Sequence, residues 1–357
     1  MHEPTIEINK RVISTHHSPY IIAEISANHN GSIETAKKII EEAKRANADA
    51  VKLQTYTADT ITLNSSDPDF QIQGGLWDGK TLFELYDEAH MPWEWHQVLF
   101  EYAKKVGITI FSSPFDSTAV DLLEHLGAPA YKIASFEAID LPLIRYVAST
   151  GKPMIISTGM ADENEIAEAV EAAKSSGCTQ LAILHCVSGY PAPAEDYNLK
   201  TILEMKNRFG LVTGLSDHTL DNYTAIASVA LGAAIIEKHF TLDRNGGGPD
   251  DSFSLEPLGM ADLCRGAHVA WTALGEVNFA RKSSEQANAQ FRRSLYFVKD
   301  MKAGDIISED AVRSVRPGYG IPPKYLTEII GQKVIQDAKK NTPVLNHHFK
   351  KTSFSFK

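Results

Sequence analysis

Residues 210–244 read GLVTGLSDHTLDNYTAIASVALGAAIIEKHFTLDR. Two short aliphatic runs, Leu211–Leu215 and Ile235–His239, stand at either end of a stretch long enough for one helix. A strand, a crossover and a second strand of the same texture imply a parallel pair. Each run closes on polar residues: Ser216, Asp217 and His218 after the first, Glu237, Lys238 and His239 at the end of the second. The carboxyl ends of these strands therefore carry the chemistry, whatever it is.

Six similar runs precede this pair: Tyr20–Ile25, Ala50–Thr55, Ile108–Ser112, Ala130–Ala134, Met154–Ser157 and Leu181–His185. Amphipathic stretches such as IETAKKIIEEAKRA, PWEWHQVLFEYAKKV, STAVDLLEHL and DENEIAEAVEAAKSS separate them. Eight strand–helix units predict closure as a (β/α)8 TIM barrel rather than an open doubly wound sheet. The open sheet also lacks its usual mark, because AEISANHNGS after the first strand has one glycine, Gly31, and no GxGxxG. Ser32 is the expected N-cap of the helix that follows. Before Tyr20, TIEINKRVIS alternates like a hairpin that plugs the barrel floor. The longest strand-to-helix connection, 56–79, contains DPDF and GGLWDG and is expected to carry substrate contacts.

At 357 residues, with 43% hydrophobic and 22% charged residues, the chain accommodates one barrel and a small appendage. The expected partition is a barrel domain at 1–275, a polar linker at 276–291, a compact β-rich domain at 292–350 and a tail at 351–357. A net charge of −10 with no basic stripe argues against nucleic acid. Cys178, Cys186 and Cys264 show no CxxC spacing and read as reduced thiols. The start MHEPTIEINKRVIS has no signal-peptide pattern and no stretch reaches membrane-span length, so a cytoplasmic protein is expected.

Polar residues recur at all eight strand ends: Glu24, Asn28 and His29; Lys52 and Gln54; Ser112 and Ser113; Lys132, Ser135 and Glu137; Ser157 and Thr158; His185, Cys186, Ser188 and Tyr190; then SDH and EKH. Buried charges cost several kcal/mol unless they are paired or used, so eight such ends on one rim predict a site. His218 and His239 close neighbouring strands about 4.8 Å apart, which allows either a shared divalent cation or two hydrogen-bonded rings ordering the rim. Lys52 and Lys132 point inward by the period-two rule. They suit a small anion bearing phosphate and carboxylate, or a Schiff base; periodicity does not separate the two.

The motifs AEISANHNGS, DAVKLQTY, FSSPFD, YKIASFE, ISTGMA, LHCVSGYP, GLSDHT and EKHFTLDR, in this order, resemble the sialic acid synthase family over essentially the whole chain. The RRSLYFVKD…SVRPGYG segment resembles that family's C-terminal antifreeze-like (SAF) domain. Within the family, IQGGLWDGKTLFELYDEAHMPWEW, YKIASFEAID and DDSFSLEP are most similar to pseudaminic acid synthases. Neuraminate synthases carry GSGE where this chain has Ala134-Ser135-Phe136-Glu137, and Phe136 would offer an apolar wall suited to a 6-deoxy sugar.

The resemblance implies condensation of phosphoenolpyruvate with 2,4-diacetamido-2,4,6-trideoxy-L-altrose to give pseudaminic acid and phosphate; N-acetylneuraminate or legionaminate synthesis is the alternative within the family. It implies a divalent metal, Mn²⁺ before Mg²⁺ or Co²⁺, on His218 and His239. Glu24 and Glu137 match catalytic carboxylates, and Lys52, Ser113, Lys132, Ser135, Ser157, Ser188 and Ser216 match a phosphoenolpyruvate cradle. Gln54, Tyr190, Asp250 and Arg316 match sugar-side contacts, with Asp250 and Asp251 both eligible for one of them. Arg316 would reach a partner's barrel in a domain-swapped homodimer. An ice-binding protein would need a flat array of residues such as Thr, which the C-terminal segment lacks. A synthase acting on sugar phosphates would need a further basic cluster, which is not found.

Overall fold

The computed structural model describes residues 3–350 and 354. The chain divides at Gly275 into two compact units.

The first unit opens with an antiparallel hairpin, β1 (Ile6–Ile8) and β2 (Arg11–Ile13). Eight parallel strands follow: β3 (Tyr20–Glu24), β4 (Ala50–Thr55), β5 (Thr109–Pro114), β6 (Tyr131–Ile133), β7 (Met154–Ser157), β8 (Leu181–Cys186), β9 (Val212–Asp217) and β10 (Ile235–His239). They close in the order β10-β3-β4-β5-β6-β7-β8-β9, with β10 pairing both β9 and β3. This is the expected (β/α)8 barrel. Its strands read as continuous apolar runs because both faces are covered; all five residues of β3 and of β10 are buried.

The helices are α1 (Ile33–Arg45), α2 (Ala58–Ile61), α3 (Leu82–Ala89), α4 (Trp93–Val106), α5 (Ser117–His125), α6 (Leu141–Ser149), α7 (Glu163–Ser175), α8 (Lys200–Phe209), α9 (Tyr223–Val229) and α10 (Pro257–Leu274). Local chemistry sets their ends. Ser32 caps α1 by accepting from Thr35 N, and Gly107 ends α4 in the left-handed region at φ 79°. An amphipathic face then buries each helix on the sheet, as Ile39, Ile40 and Ala43 of α1 do.

The hairpin does close the floor. Ile6, Ile8 and Ile13 join one buried cluster with Ile22, Phe111, Ile155, Leu184 and Ile235 from the strands. Glu7 N donates to Gln180 Oε1 at 2.7 Å, and Asn9 Nδ2 to Thr109 Oγ1 at 3.1 Å, tying the plug to the barrel.

One expectation needs correction. The excursion after β4 does not end at 79; it runs on to Pro92 and contains α2 and α3 as well as irregular chain. Thr81 and Glu84 form a reciprocal cap at the start of α3, a signal readable as TLFE in the sequence.

The second unit pairs β11 (Ser294–Phe297) with β12 (Val312–Val315) antiparallel, Ser294 opposite Val315. One further short helix, α11 (Leu326–Ile329), follows. Leu295, Phe297, Ile307, Ile321 and Val344 form its core. Residues 283–291 form a 3-10 turn with no buried residue. Of the tail 351–357 only Phe354 is described; it is buried, and its N and O bond the Asn346 side chain. Among the described residues no helix is long and apolar enough to cross a membrane.

Candidate active site

At the carboxyl ends of the strands the barrel holds a cavity of about 480 Å³, within the range of small-molecule sites. Register decides which side chains face it. Glu24 of β3 lies level with Lys52 of β4 and with His239 of β10. Two residues back from His239, Glu237 shares its inward face, while Lys238 between them points outward. Lys238 accordingly leaves the site and binds Asp217 Oδ2 at 2.6 Å and the Thr219 and Asp221 carbonyls, a structural knot behind the rim.

Four opposite charges meet on the inward face. Lys52 Nζ lies 2.6 Å from Glu24 Oε2 and 3.9 Å from Glu237 Oε1, and Lys132 Nζ lies 3.6 Å from the same Glu237 oxygen. All four side chains are at most 7% exposed. Burial pushes the Glu24 carboxyl up to about 7, with repulsion from Glu237 adding to it. Burial would raise Glu237 too, but Lys132 and Lys52 outweigh it and hold that carboxyl below its ordinary range. Burial lowers Lys132, whereas for Lys52 the attraction of Glu237 and Glu24 overcomes burial and raises it. Glu237 was the residue missed in the sequence. The period-two argument that pointed Lys52 inward also points Glu237 inward once His239 is taken as a rim residue.

Hydroxyls gather beside Lys132. Ser135 Oγ lies 3.2 Å from Cys186 Sγ, Ser216 Oγ donates to Glu237 Oε1 at 3.3 Å, and the buried Ser157 hydroxyl has no protein partner. Ser188 lines the same wall. Gly159 leaves the room they need, since a Cβ there would stand 2.2 Å from Ser188 Oγ and 2.9 Å from Ser135 Oγ. Ser113 is fully buried on β5, level with Gln54, and its hydroxyl accepts from Lys52 Nζ at 3.1 Å.

The two histidine rings stand with centroids 5.4 Å apart. His218 Nδ1 lies 2.8 Å from the Val187 carbonyl, which only accepts, so this nitrogen carries the proton. Burial lowers its pKa to about 4, and burial holds His239 well below its ordinary value. Both rings are therefore neutral at pH 7. That leaves a lone pair on His218 Nε2, and His239 Nδ1 is buried without a partner. Two neutral imidazoles with unused nitrogens fit a divalent first-row cation. Among the described residues no group of three or more His, Cys, Asp or Glu is spaced to hold a metal ion, so substrate and water would fill the remaining positions. His185 is not a candidate, because its Nε2 is engaged by the Tyr197 carbonyl. Tyr197 Oη in turn accepts from His218 N at 2.6 Å and fixes that turn. His29 accepts from Gly31 N and packs edge-on against Trp95.

Glu137 lines the cavity with one buried oxygen unpartnered, and burial pushes its carboxyl up to about 7. Gln54 Nε2 donates to Glu24 Oε1 at 3.0 Å. Tyr190 stacks on His218 with centroids 4.4 Å apart. Asp250 lines the cavity and accepts from Ser26 Oγ. Asp251 instead accepts from Thr241 Oγ1 at 2.5 Å, Asn30 Nδ2 at 2.8 Å and Gly248 N at 2.9 Å, which makes it the brace of that loop. Phe136 borders the cavity and is 57% exposed. Arg316 belongs to the second unit and is exposed.

Fold and cavity place the chain among (β/α)8-barrel proteins whose polar groups converge at the carboxyl ends of the strands, the face where enzymes of this fold keep their chemistry. The NeuB family model matches residues 39–279, and the SAF domain model matches residues 292–350. The chain belongs to the NeuB family. It is 46% identical over 320 residues to a pseudaminic acid synthase of Campylobacter jejuni, covering 90% of this chain and 93% of that protein. It is 43% identical to a pseudaminic acid synthase of Helicobacter pylori, covering 91% and 96%. Among solved structures, the N-acetylneuraminic acid synthetase of Leptospira borgpetersenii, in complex with citrate, superposes with a TM-score of 0.72 at 30% identity, covering 80% of this chain and 95% of that one.

Proposed function

We propose that this protein is a pseudaminic acid synthase, condensing phosphoenolpyruvate with 2,4-diacetamido-2,4,6-trideoxy-L-altrose to give pseudaminic acid and phosphate. Similarity to the two pseudaminic acid synthases supports the reaction. The observation that carries it is one cavity in which two buried lysines and a row of serine hydroxyls adjoin two neutral histidines. Such a cavity accepts a small phosphorylated anion at one end and a carbonyl at the other.

Lys52, Ser113, Lys132, Ser135, Ser157, Ser188 and Ser216 bind the phosphate and carboxylate of the enol. The lysine quartet is balanced at two positive and two negative charges, so protonation of Glu24, whose pKa stands at about 7, leaves net positive charge for the incoming anion. His218 and His239 would hold a divalent cation, Mn²⁺ in this reading, which would supply Lewis-acid polarisation of the sugar aldehyde. The enol carbon forms the new bond to the aldehyde carbon, and positive charge develops on the phosphate-bearing carbon. Glu137 takes the proton of the water that adds there, a general-base task suited to a carboxylate with a raised pKa. That proton passes on to the former aldehyde oxygen, which becomes the new hydroxyl; the hydroxyl on the former enol carbon gives up its proton as its C=O forms, the C–O bond to phosphate breaks and phosphate leaves carrying that proton. Gln54, Tyr190 and Asp250 orient the sugar. Arg316 completes the site from the second unit of a partner chain in a domain-swapped homodimer, with residues 1–275 as catalytic domain, 276–291 as linker and 292–350 as the SAF domain. A cytoplasmic location accords with this use of metabolites.

The test is turnover with phosphoenolpyruvate and Mn²⁺ of the altrose derivative, N-acetylmannosamine and the legionaminic precursor in parallel. Release of phosphate with the altrose derivative is the expected result. Turnover confined to either of the other sugars overturns the assignment.

A further inference from the structure

Eight non-glycine residues among those described have a positive φ. Five are asparagine, which tolerates the left-handed region, and seven of the eight are exposed. Ser26 is the exception. It is 4% exposed, lines the cavity two residues beyond Glu24 and sits at φ 47°. A serine there is strained where glycine would not be, and such strain persists only where the surroundings over-determine the backbone. They do so here. Phe240 N donates to the Glu24 carbonyl at 2.8 Å, Ile25 N to the Lys52 carbonyl at 3.0 Å and Asn28 N to the Ile25 carbonyl at 3.0 Å. Asn28 Nδ2 donates to the Phe240 carbonyl at 3.0 Å and to Ser254 Oγ at 2.8 Å. The chain is clamped on both sides of Ser26.

The strained turn sets the Ser26 hydroxyl against a carboxylate. Ser26 Oγ donates to Asp250 Oδ2, and Ala27 N donates to the same oxygen at 3.4 Å. The Asp250 backbone is tied to the same turn, because Ser254 Oγ, which Asn28 Nδ2 bonds, donates to the Asp250 carbonyl at 2.6 Å. One carboxylate oxygen is thereby engaged. The other, Oδ1, has no hydrogen-bond partner among the described residues, and Asp250 lines the cavity. Burial raises the Asp250 carboxyl while the Ser26 hydroxyl and Ala27 N–H pull it back, so these bonds also favour the ionised, accepting form. A carboxylate free to rotate offers its oxygens in several directions, whereas one pinned through Oδ2 offers Oδ1 in one. We propose that Ser26 is a positioning residue for the sugar: its hydroxyl fixes the Asp250 carboxylate so that Oδ1 accepts a hydroxyl or amide hydrogen of the substrate. Asp250 meets the sugar in the reaction proposed above, and the role of Ser26 rests on that reading.

Ser26→Gly and Ser26→Ala remove the same hydroxyl but differ in backbone: glycine is relaxed at φ 47°, and alanine keeps the strain. Ser26→Gly is therefore expected to melt roughly 2–4 °C above Ser26→Ala. Both variants should nonetheless raise KM for the sugar roughly tenfold, the loss of one well-placed bond to a charged group. KM for phosphoenolpyruvate should stay within about twofold of wild type, because the serine and lysine cradle is untouched. A wild-type sugar KM in Ser26→Gly overturns the positioning role, since the hydroxyl would then not matter. An equal rise in both KM values overturns it too, as the mark of a loosened turn. Should Ser26→Ala fail to fold, Ser26→Gly, with its relaxed backbone, decides. Calorimetric binding of the sugar alcohol of the altrose derivative, which cannot condense, reads the same loss without turnover. Weaker binding of that alcohol by both variants, with no condensation of any sugar by wild type, overturns the proposed reaction and leaves Ser26 its place beside Asp250.

Discussion

Replacing Glu237 by Gln tests whether the buried quartet is an electrostatic unit. The substitution keeps the shape and removes the carboxylate nearest Lys132, 3.6 Å away, while Glu24 stays with Lys52 at 2.6 Å. At an effective permittivity near 20, unit charges at the first separation attract by about 5 kcal/mol. Lys132 escapes part of that loss by giving up its proton, because burial already lowers its pKa. A net destabilisation of about 3 kcal/mol is expected, at the low end for a broken buried pair. For a unit of this size that is a fall of roughly 6–12 °C in the thermal midpoint. The sign of its pH dependence follows from the same proton. Glu237 raises the pKa of Lys132 against burial, so without it the folded pKa falls further below the unfolded value than in wild type; the unfolded variant then binds more protons over a wider window, and the variant gains more stability with rising pH than wild type does. The deficit relative to wild type should therefore shrink between pH 7 and about 9.5, below the unfolded lysine value of about 10.4. Scanning calorimetry of both proteins at the two pH values reads it. An unchanged midpoint, or a deficit equal at both pH values, refutes the account.

Four further outcomes follow from the site. Turnover should rise with pH through about 7 as Glu137 loses its proton; Glu24 titrates in the same range, so Glu137→Gln decides, and a rising limb that survives in it assigns the base elsewhere. That variant should lose on the order of 10²–10⁴-fold in kcat. Gly159→Ala places a methyl 2.2 Å from Ser188 Oγ; initial rates should give a KM for phosphoenolpyruvate raised roughly tenfold, the loss of about 1.4 kcal/mol of hydroxyl contacts. His218→Ala, or excess chelator on the wild type, should abolish phosphate release while the circular dichroism spectrum persists, and full turnover in either contradicts the metal role. Arg316→Ala and His218→Ala proteins, inactive alone, should regain up to a quarter of wild-type activity when mixed and re-equilibrated, if each site draws Arg316 from the partner; no recovery rejects the swapped arrangement.

The barrel was legible because parallel strands buried on both faces leave unbroken apolar runs, and because each run ended on groups that a structural turn does not need. Ser32 as a cap and the plug at Ile6–Ile13 were readable for similarly local reasons. Glu237 was counted at its strand end but given no role, because nothing in EKH says which of its residues faces inward until one side of the strand is assigned. Only the fold could separate Asp250 from Asp251, since adjacent carboxylates in one loop differ solely in which neighbours reach them.

Because Ile22, Phe111, Ile155, Leu184 and Ile235 fill the barrel above Ile6, Ile8 and Ile13, the cavity opens at the carboxyl ends of the strands only. Whatever rests against the lysines goes in before anything that lies across Tyr190, and comes out after it. On the proposed reaction, that single door sets the order of addition: phosphoenolpyruvate first, sugar second.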